Sequence, residues 1–153
     1  MNIRNAREDD AEQLKKLATG LSHLYLTENE SILPEWISSS LELQEFTKRL
    51  KSNDFNHLVY EIEGRIVGYI SIKNKTHIYH LFVSQKYQRK GIARALWESI
   101  IKSNSSSKYT VRSSLYAVPV YESFGFIKTA PIDIKGNVKF QEMEIIISCT
   151  KSN

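Results

Sequence analysis

Apolar residues recur along this chain with two different periods. Leu14, Leu17, Leu21 and Leu24 follow the acidic run Glu8-Asp9-Asp10 at helical spacing, which predicts a helix over residues 9 to 25 with carboxylates at its positive end. Ahead of it, Ile3-Arg4-Asn5-Ala6 predicts a short first strand. After a polar stretch at 27 to 36 that contains Pro34, Leu41, Leu43, Phe46 and Leu50 predict a second helix ending near residue 52. Segments 57 to 62 and 66 to 72 are rich in β-branched and aromatic residues and flank Glu63-Gly64-Arg65, the pattern of a hairpin of central antiparallel strands. A strand at 76 to 83 leads into a helix at 91 to 103, where Ile92, Ala93, Leu96, Trp97, Ile100 and Ile101 form two adjacent apolar rows. A strand at 109 to 112 follows. Pro119 fits only the first turn of a helix and Gly125 suits its end, so residues 117 to 124 form a short helix. A strand near 126 and 127, a polar loop containing Gly136-Asn137 and a strong strand at 138 to 148 close the chain.

Composition narrows the class. At 153 residues, 41% of them hydrophobic, the chain has the size of one domain with one continuous core, spanning residues 1–153. It holds no run of eighteen apolar residues, no export signal and no lipidation motif, so no membrane partner is expected and cytoplasmic residence is the default. The single cysteine, Cys149, cannot form an internal disulfide. The net charge of +4 is spread along the sequence rather than gathered into a stripe, which argues against a nucleic-acid partner. Ser103-Asn104-Ser105-Ser106-Ser107 reads as a connector.

The densest basic cluster lies at residues 86 to 94, between a short apolar strand and an amphipathic helix. A helix start offers four backbone N–H groups without intrahelical partners, together with partial positive charge, and so accepts an anion. Gly91 lets the main chain approach closely, while Lys86, Arg89, Lys90 and Arg94 add positive charge and bidentate donors. This is a phosphate-binding pattern.

A second segment, Tyr-Ala-Val-Pro-Val-Tyr-Glu-Ser-Phe-Gly-Phe at 116 to 126, follows past another short strand. Together the two resemble the GNAT superfamily of acyl-CoA-dependent N-acyltransferases. Gln88-Arg89-Lys90-Gly91-Ile92-Ala93 matches its Gln/Arg-x-x-Gly-x-Gly/Ala pyrophosphate loop, and the later segment matches its Ala-x-x-Phe-Tyr-Glu-x-x-Gly-Phe block with Val120 in the phenylalanine slot. The predicted order β-α-α-β-β-β-α-β-α-β-β is also that of the GNAT fold. The resemblance therefore covers essentially the whole chain and implies an α+β fold with a mixed, mostly antiparallel central sheet flanked by helices.

It also implies chemistry. The donor would be acetyl-CoA or a related acyl-CoA: the strand ending Leu81-Phe82-Val83 would bond the pantetheine arm through its backbone, and residues 88 to 94, including Ile92 and Ala93, would hold the pyrophosphate. Ser114 stands where the family often carries an asparagine that contacts the pantetheine; its side chain is shorter. Tyr121 occupies the position of the tyrosine that protonates the departing CoA sulfur. For the base, the family position held by a carboxylate on the cofactor strand is His77, with His80, Glu61 and Glu63 as further candidates. His77 and His80 are expected on opposite faces of a regular strand, although a bulge, common in this strand of the family, would alter that alternation.

The acceptor pocket of the family lies between the first two helices and the loop before the last strand, here residues 27 to 36 and 132 to 138. Glu28, Glu30, Glu35 and Asp133 are placed to attract a cationic amine, with Trp36 or Tyr79 as an aromatic wall. A small molecule or a peptide would serve as acceptor, to a monomer or a homodimer. No metal site is expected, because the two histidines diverge, the cysteine is remote and no His-x-x-x-His pattern with a carboxylate occurs. The alternatives are a catalytically silent acyl-CoA-binding module and, last, a nucleic-acid-binding protein.

Overall fold

The computed structural model describes residues 2–25, 34–136 and 138–147. The predicted contributions of Glu28, Glu30 and Cys149 lie outside the described residues. In chain order the elements are β1 (Ile3–Asn5), α1 (Ala11–Leu21), α2 (Glu35–Ser40), α3 (Leu43–Lys51), β2 (Phe55–Ile62), β3 (Arg65–Lys73), β4 (His77–Val83), α4 (Ile92–Ser103), β5 (Lys108–Ser114), α5 (Val118–Phe124), β6 (Ile127–Lys128), β7 (Asp133–Lys135) and β8 (Val138–Ile146). The strands form one sheet in the order β1-β2-β3-β4-β5-β8-β6, with β7 also pairing β8. Every pairing is antiparallel except β4 with β5.

Two elements differ from the expectation. The polar stretch before the second helix holds a helix of its own, α2. It was hidden because its serines turn inward on the backbone: Ser39 Oγ donates to the Glu35 carbonyl at 2.7 Å and Ser40 Oγ to that of Ile37 at 2.7 Å, leaving Ile37 as the buried residue. Part of the loop before the last strand is strand β7, whose three residues are exposed and carry no apolar alternation. The first helix is shorter than predicted, with single 3₁₀ turns at Glu8–Asp10 and Ser22–Tyr25 on either side.

The core lies on both faces of the sheet. Under α1 to α3 it comprises Leu14, Ala18, Phe46, Val59, Tyr69, Phe82 and Phe140. Under α4 and α5 it comprises Ile70, Ile78, Leu96, Trp97, Tyr109, Val111 and Tyr121.

Two irregularities shape β4. Ser71 pairs with His80 but Ile72 pairs with Ile78, so Tyr79 is an extra residue and the strand bulges there. Parallel pairing with β5 is confined to His77 with Thr110 and Ile78 with Val111, after which the two strands separate. A wedge therefore opens between them toward the C-terminal ends of both.

Gly68 on β3 holds α4 against this part of the sheet. A methyl group there would meet Ile92 Cγ2 at 2.8 Å, Leu96 Cδ1 at 3.2 Å and Tyr60 Cβ at 3.3 Å, and the branched Ile92 side chain has little freedom to yield. Gly68→Ala is expected to cost about 1–3 kcal/mol as an overpacking change and to displace the first turn of α4. Chemical denaturation should show the loss, and a variant as stable as the parent would contradict this packing.

Candidate active site

The turn between β4 and α4 is built from backbone geometry. Arg89 and Gly91 both take left-handed conformations, at φ 64° and 84°, and no atom lies within 4 Å of where a Gly91 Cβ would stand. Alternating backbone of this kind turns successive N–H groups toward one point. Among the described residues, no N–H of residues 89 to 94 meets an acceptor; the helical ladder begins with Ala95 donating to the Gly91 carbonyl at 3.0 Å. Arg89 and Lys90 are exposed around this concavity.

The wedge and the turn form one cleft of about 440 Å³. Of the residues expected at a donor site, Leu81, Phe82, Val83, Gln88, Arg89, Gly91, Ile92, Ala93, Arg94 and Ser114 line it together. Among the described residues, no carboxylate lines it. Gln88 spans the wedge: its Nε2 donates to the Val83 carbonyl at 2.9 Å, and its Oε1 accepts from the Tyr116 hydroxyl at 2.7 Å. Arg94 donates to the Ser123 carbonyl at 2.8 Å and lies 5.4 Å from the Phe124 ring centre, which ties the start of α4 to the end of α5. Ser114 Oγ accepts the Ala117 N–H at 3.3 Å and so braces the turn into α5.

Tyr116 was missed by sequence reasoning, since nothing local marks a tyrosine just before the alanine of a motif as the partner of a glutamine 28 residues upstream. Leu21, Leu24, Tyr87, Pro119 and Val120 also line the cleft. Leu21 and Leu24 were legible only as helix-face residues.

Other candidates stand outside the lining. Lys90 is at the exposed rim. The Tyr121 ring is buried, edge-on to Phe124 and Phe126 with centroids 6.1 and 5.4 Å away. His77 sits where β4 and β5 are still paired, its Nδ1 2.8 Å from Thr110 Oγ1. Glu61 is held by Arg4 at 3.2 Å, on the far side of the sheet from β5. Trp36 packs on Phe140 at 5.5 Å, and Tyr79 on Phe55 at 5.3 Å and His80 at 4.6 Å.

The expectation that His77 and His80 face opposite ways needs correction. The Tyr79 bulge shifts the alternation, and His80 now packs on Phe46 and Phe82 beneath α3, on the face where His77 meets Thr110. The two histidines therefore do not diverge, and divergence does not exclude a metal site here. Among the described residues, however, no group of three or more His, Cys, Asp or Glu is arranged to hold a metal ion.

This face carries a buried polar network. His57 Nε2 donates to the Arg49 carbonyl at 3.0 Å, so its Nδ1 is the acceptor of the Tyr69 hydroxyl at 2.6 Å. Burial raises the Tyr69 pKa and lowers that of His57. His80 is held well below the ordinary histidine value by burial and by the positive charge of Arg49, and His77 is lowered by burial and by Lys73. His80 Nδ1 is sealed from solvent without a partner, so a second proton there would be an unsatisfied donor.

Comparison with known proteins agrees with this geometry. Residues 13–147 match the family model described as an acetyltransferase (GNAT) domain. The chain belongs to the GNAT family. It is 31% identical over 138 residues to the uncharacterized N-acetyltransferase YafP of Escherichia coli (strain K12), covering 89% of each chain. It is 30% identical over 148 residues to an N-alpha-acetyltransferase of Saccharolobus solfataricus, covering 82% of this chain and 80% of that one. In structure it is similar to the PaiA N-acetyltransferase of Thermoplasma acidophilum solved in complex with coenzyme A, with a TM-score of 0.76, 20% identity and 94% and 97% of the two chains covered. A GCN5-related N-acetyltransferase from Rhodopseudomonas palustris gives a TM-score of 0.79 at 19% identity, with 95% and 94% covered. The mixed sheet with helices on both faces is thus the GNAT fold, and this GNAT chain is an acyltransferase that draws on acyl-CoA.

The histidines also set how stability responds to acid. Their pKa values are depressed in the fold, so the unfolded chain binds protons that the native state refuses. Their contribution is fully present above the ordinary histidine value of about 6.5 and is lost as the pH falls toward the depressed native values. The melting temperature should therefore be level between about pH 7 and 8 and should decline below about 6.5. A melting temperature that rises on acidification through this range would contradict the neutral, buried state of these rings.

Proposed function

We propose that this chain transfers the acetyl group of acetyl-CoA to a primary amine of a small-molecule or peptide acceptor, directly, within a ternary complex. The observation that carries this is the run of N–H groups from residue 89 to 94, without acceptors among the described residues and set under Arg89, at the end of a wedge bordered by Leu81, Phe82 and Val83. The concavity suits a pyrophosphate, and the wedge leaves the end of β4 without a strand partner on its β5 side, which suits an extended pantetheine arm bonded along the β4 backbone. Gln88 and Tyr116 hold the two sides of the wedge in register for that arm.

In the reaction the amine nitrogen forms a bond to the thioester carbonyl carbon, the carbon–sulfur bond breaks, and the amine loses a proton while the thiolate gains one. Tyr121 is the proton donor to the thiolate, and His77 accepts the amine proton, with His80, whose Nδ1 has no partner for a second proton, as the alternative. Both histidines are neutral near pH 7, as a base must be before it acts. The N-alpha-acetyltransferase relative makes a peptide α-amine a natural member of the acceptor panel. The proposal includes a single N-acetyltransferase domain over residues 1–153, acting in the cytoplasm as a monomer or homodimer. Among the described residues, no helix is long and apolar enough to cross a membrane.

The competing reading is a silent acyl-CoA-binding module. It is favoured by the burial of Tyr121 outside the cleft lining.

Thermal unfolding tests the donor site first. A ligand at a hundred times its dissociation constant adds about 2.7 kcal/mol, so acetyl-CoA and CoA should each raise the midpoint by several degrees and ADP by less; no shift with any of them would remove the donor site. For the chemistry, Tyr121→Phe should lower kcat at least tenfold at an unchanged acetyl-CoA midpoint shift, and wild-type turnover would remove the general acid. The acid limb of kcat/KM should lie below about pH 6.5 and should vanish in whichever of His77→Ala and His80→Ala removes the base. An unaltered profile in both variants would mean that neither histidine takes the proton.

A further inference from the structure

Beside the wedge, on the face covered by α1 to α3, four side chains form a ladder in which two neighbouring rings have a cation at either end. Lys135 Nζ lies 4.4 Å from the Trp36 ring centre, Trp36 lies 5.5 Å from Phe140, and Arg112 Cζ lies 4.4 Å from the Phe140 centre. The ladder joins the cleft directly, because Phe140 is the cross-strand partner of cleft-lining Ser114. Its members come from α2, β5, β7 and β8, of which only β7 and β8 are neighbours in sequence.

The charges at its two ends are not equivalent. Arg112 is paired with Asp133 at 2.9 Å, and Glu142 stands opposite it across the β5–β8 ladder. Lys135 lies two residues from Asp133 on the same strand and has no carboxylate within ion-pair distance among the described residues. Cation–π contact attracts an ammonium to a ring without cancelling its charge, so the positive field of Lys135 remains available to a ligand. Among the described residues the cleft wall contributes no carboxylate, and Asp133 is already engaged by Arg112. Of the carboxylates anticipated for a cationic acceptor, Asp133 is engaged by Arg112 and Glu35 is exposed at the start of α2, while Glu28 and Glu30 lie outside the described residues.

We infer that the acceptor carries an anionic group, a carboxylate a few bonds from its amine, which Lys135 receives beside the Trp36 ring. This deepens the N-acetyltransferase reading and rests on it. Two kinds of molecule share the chemistry: a free acidic amino acid, and a peptide with an acidic residue next to its amino terminus. In either case Trp36 supplies an apolar wall and Lys135 the charge. Arg112 and Asp133 keep the hairpin in place and are positioning residues.

The test measures acetyl-CoA-dependent initial rates on two arms of matched acceptors. One arm compares the C-terminally amidated peptides Ala-Glu-Gly-Gly, Ala-Gln-Gly-Gly and Ala-Lys-Gly-Gly; the other compares free glutamate with glutamine and lysine. Wild type should favour the glutamate member of one arm over its glutamine counterpart at least tenfold in kcat/KM, mainly through KM, and the arm in which this happens identifies the source. Lys135→Glu should remove that preference and improve use of the lysine member, whereas Lys135→Arg should retain it. The acetyl-CoA midpoint shift of each variant establishes that it is folded with its donor site intact.

Equal rates across the charge series, a preference for the lysine members, or an unaltered preference in Lys135→Glu would each overturn the inference and leave the acetyltransferase reading standing. Failure of every acceptor to be acetylated while acetyl-CoA still raises the midpoint would overturn both.

Discussion

The architecture turns on how little β4 and β5 touch. Two neighbouring parallel strands ordinarily continue their ladder, since each lost pairing leaves backbone groups to be satisfied elsewhere. Here the ladder stops after Ile78 and Val111. The bulge at Tyr79 and the turn at Ser114 carry the two chains apart, and the opening between them is the cleft. What would be a cost in a closed sheet becomes a binding surface, because an extended ligand can take the place of the absent strand. Gln88 and Tyr116 limit the separation by bridging it. Gly68 brings α4 onto β3 so closely that the N–H groups of the helix start fall at the end of the wedge.

Charge is arranged along this opening with the same economy. The turn before α4 concentrates positive charge and open N–H donors where a pyrophosphate would lie. Further in, the lining is mostly apolar and, among the described residues, holds no carboxylate. On the α1 to α3 face the histidines are kept neutral by burial and by Arg49, whose guanidinium lies 4.7 Å from the Phe46 ring centre and 5.3 Å from that of Tyr79. A positive, solvent-poor surface of this kind opposes an ammonium and favours an amine that has already lost its proton. The ladder at Lys135 extends that positive field along the α1 to α3 face.

Legibility in the sequence followed the range of each interaction. The phosphate turn is local: Gln88, Arg89, Gly91, Ile92 and Ala93 act through neighbouring backbone, so their pattern survives in one short window and the structure brings them together. The hairpin, α4 and the Pro119-to-Gly125 helix were legible for the same reason. α2 was not, because its serines satisfy the helix backbone without an apolar stripe, and β7 was not, because it is exposed on both faces. The Tyr79 bulge left no mark, since His77, Tyr79 and His80 fit an alternating strand equally well. The pairing of Gln88 with Tyr116 and the contacts of Trp36 with Lys135 and Phe140 depend on residues tens of positions apart, which only the folded sheet brings together. Trp36 and Asp133 could be named as acceptor-side residues, but the partners that decide the charge of that corner could not.

The most direct test of the wedge as the donor site is amide hydrogen exchange with and without CoA. If the β4 backbone and the α4 start receive the donor, protection should rise in residues 81 to 83 and 89 to 94, with little change in α3 and in the β2–β3 hairpin. Protection confined to other segments, or none at saturating CoA, would contradict the account.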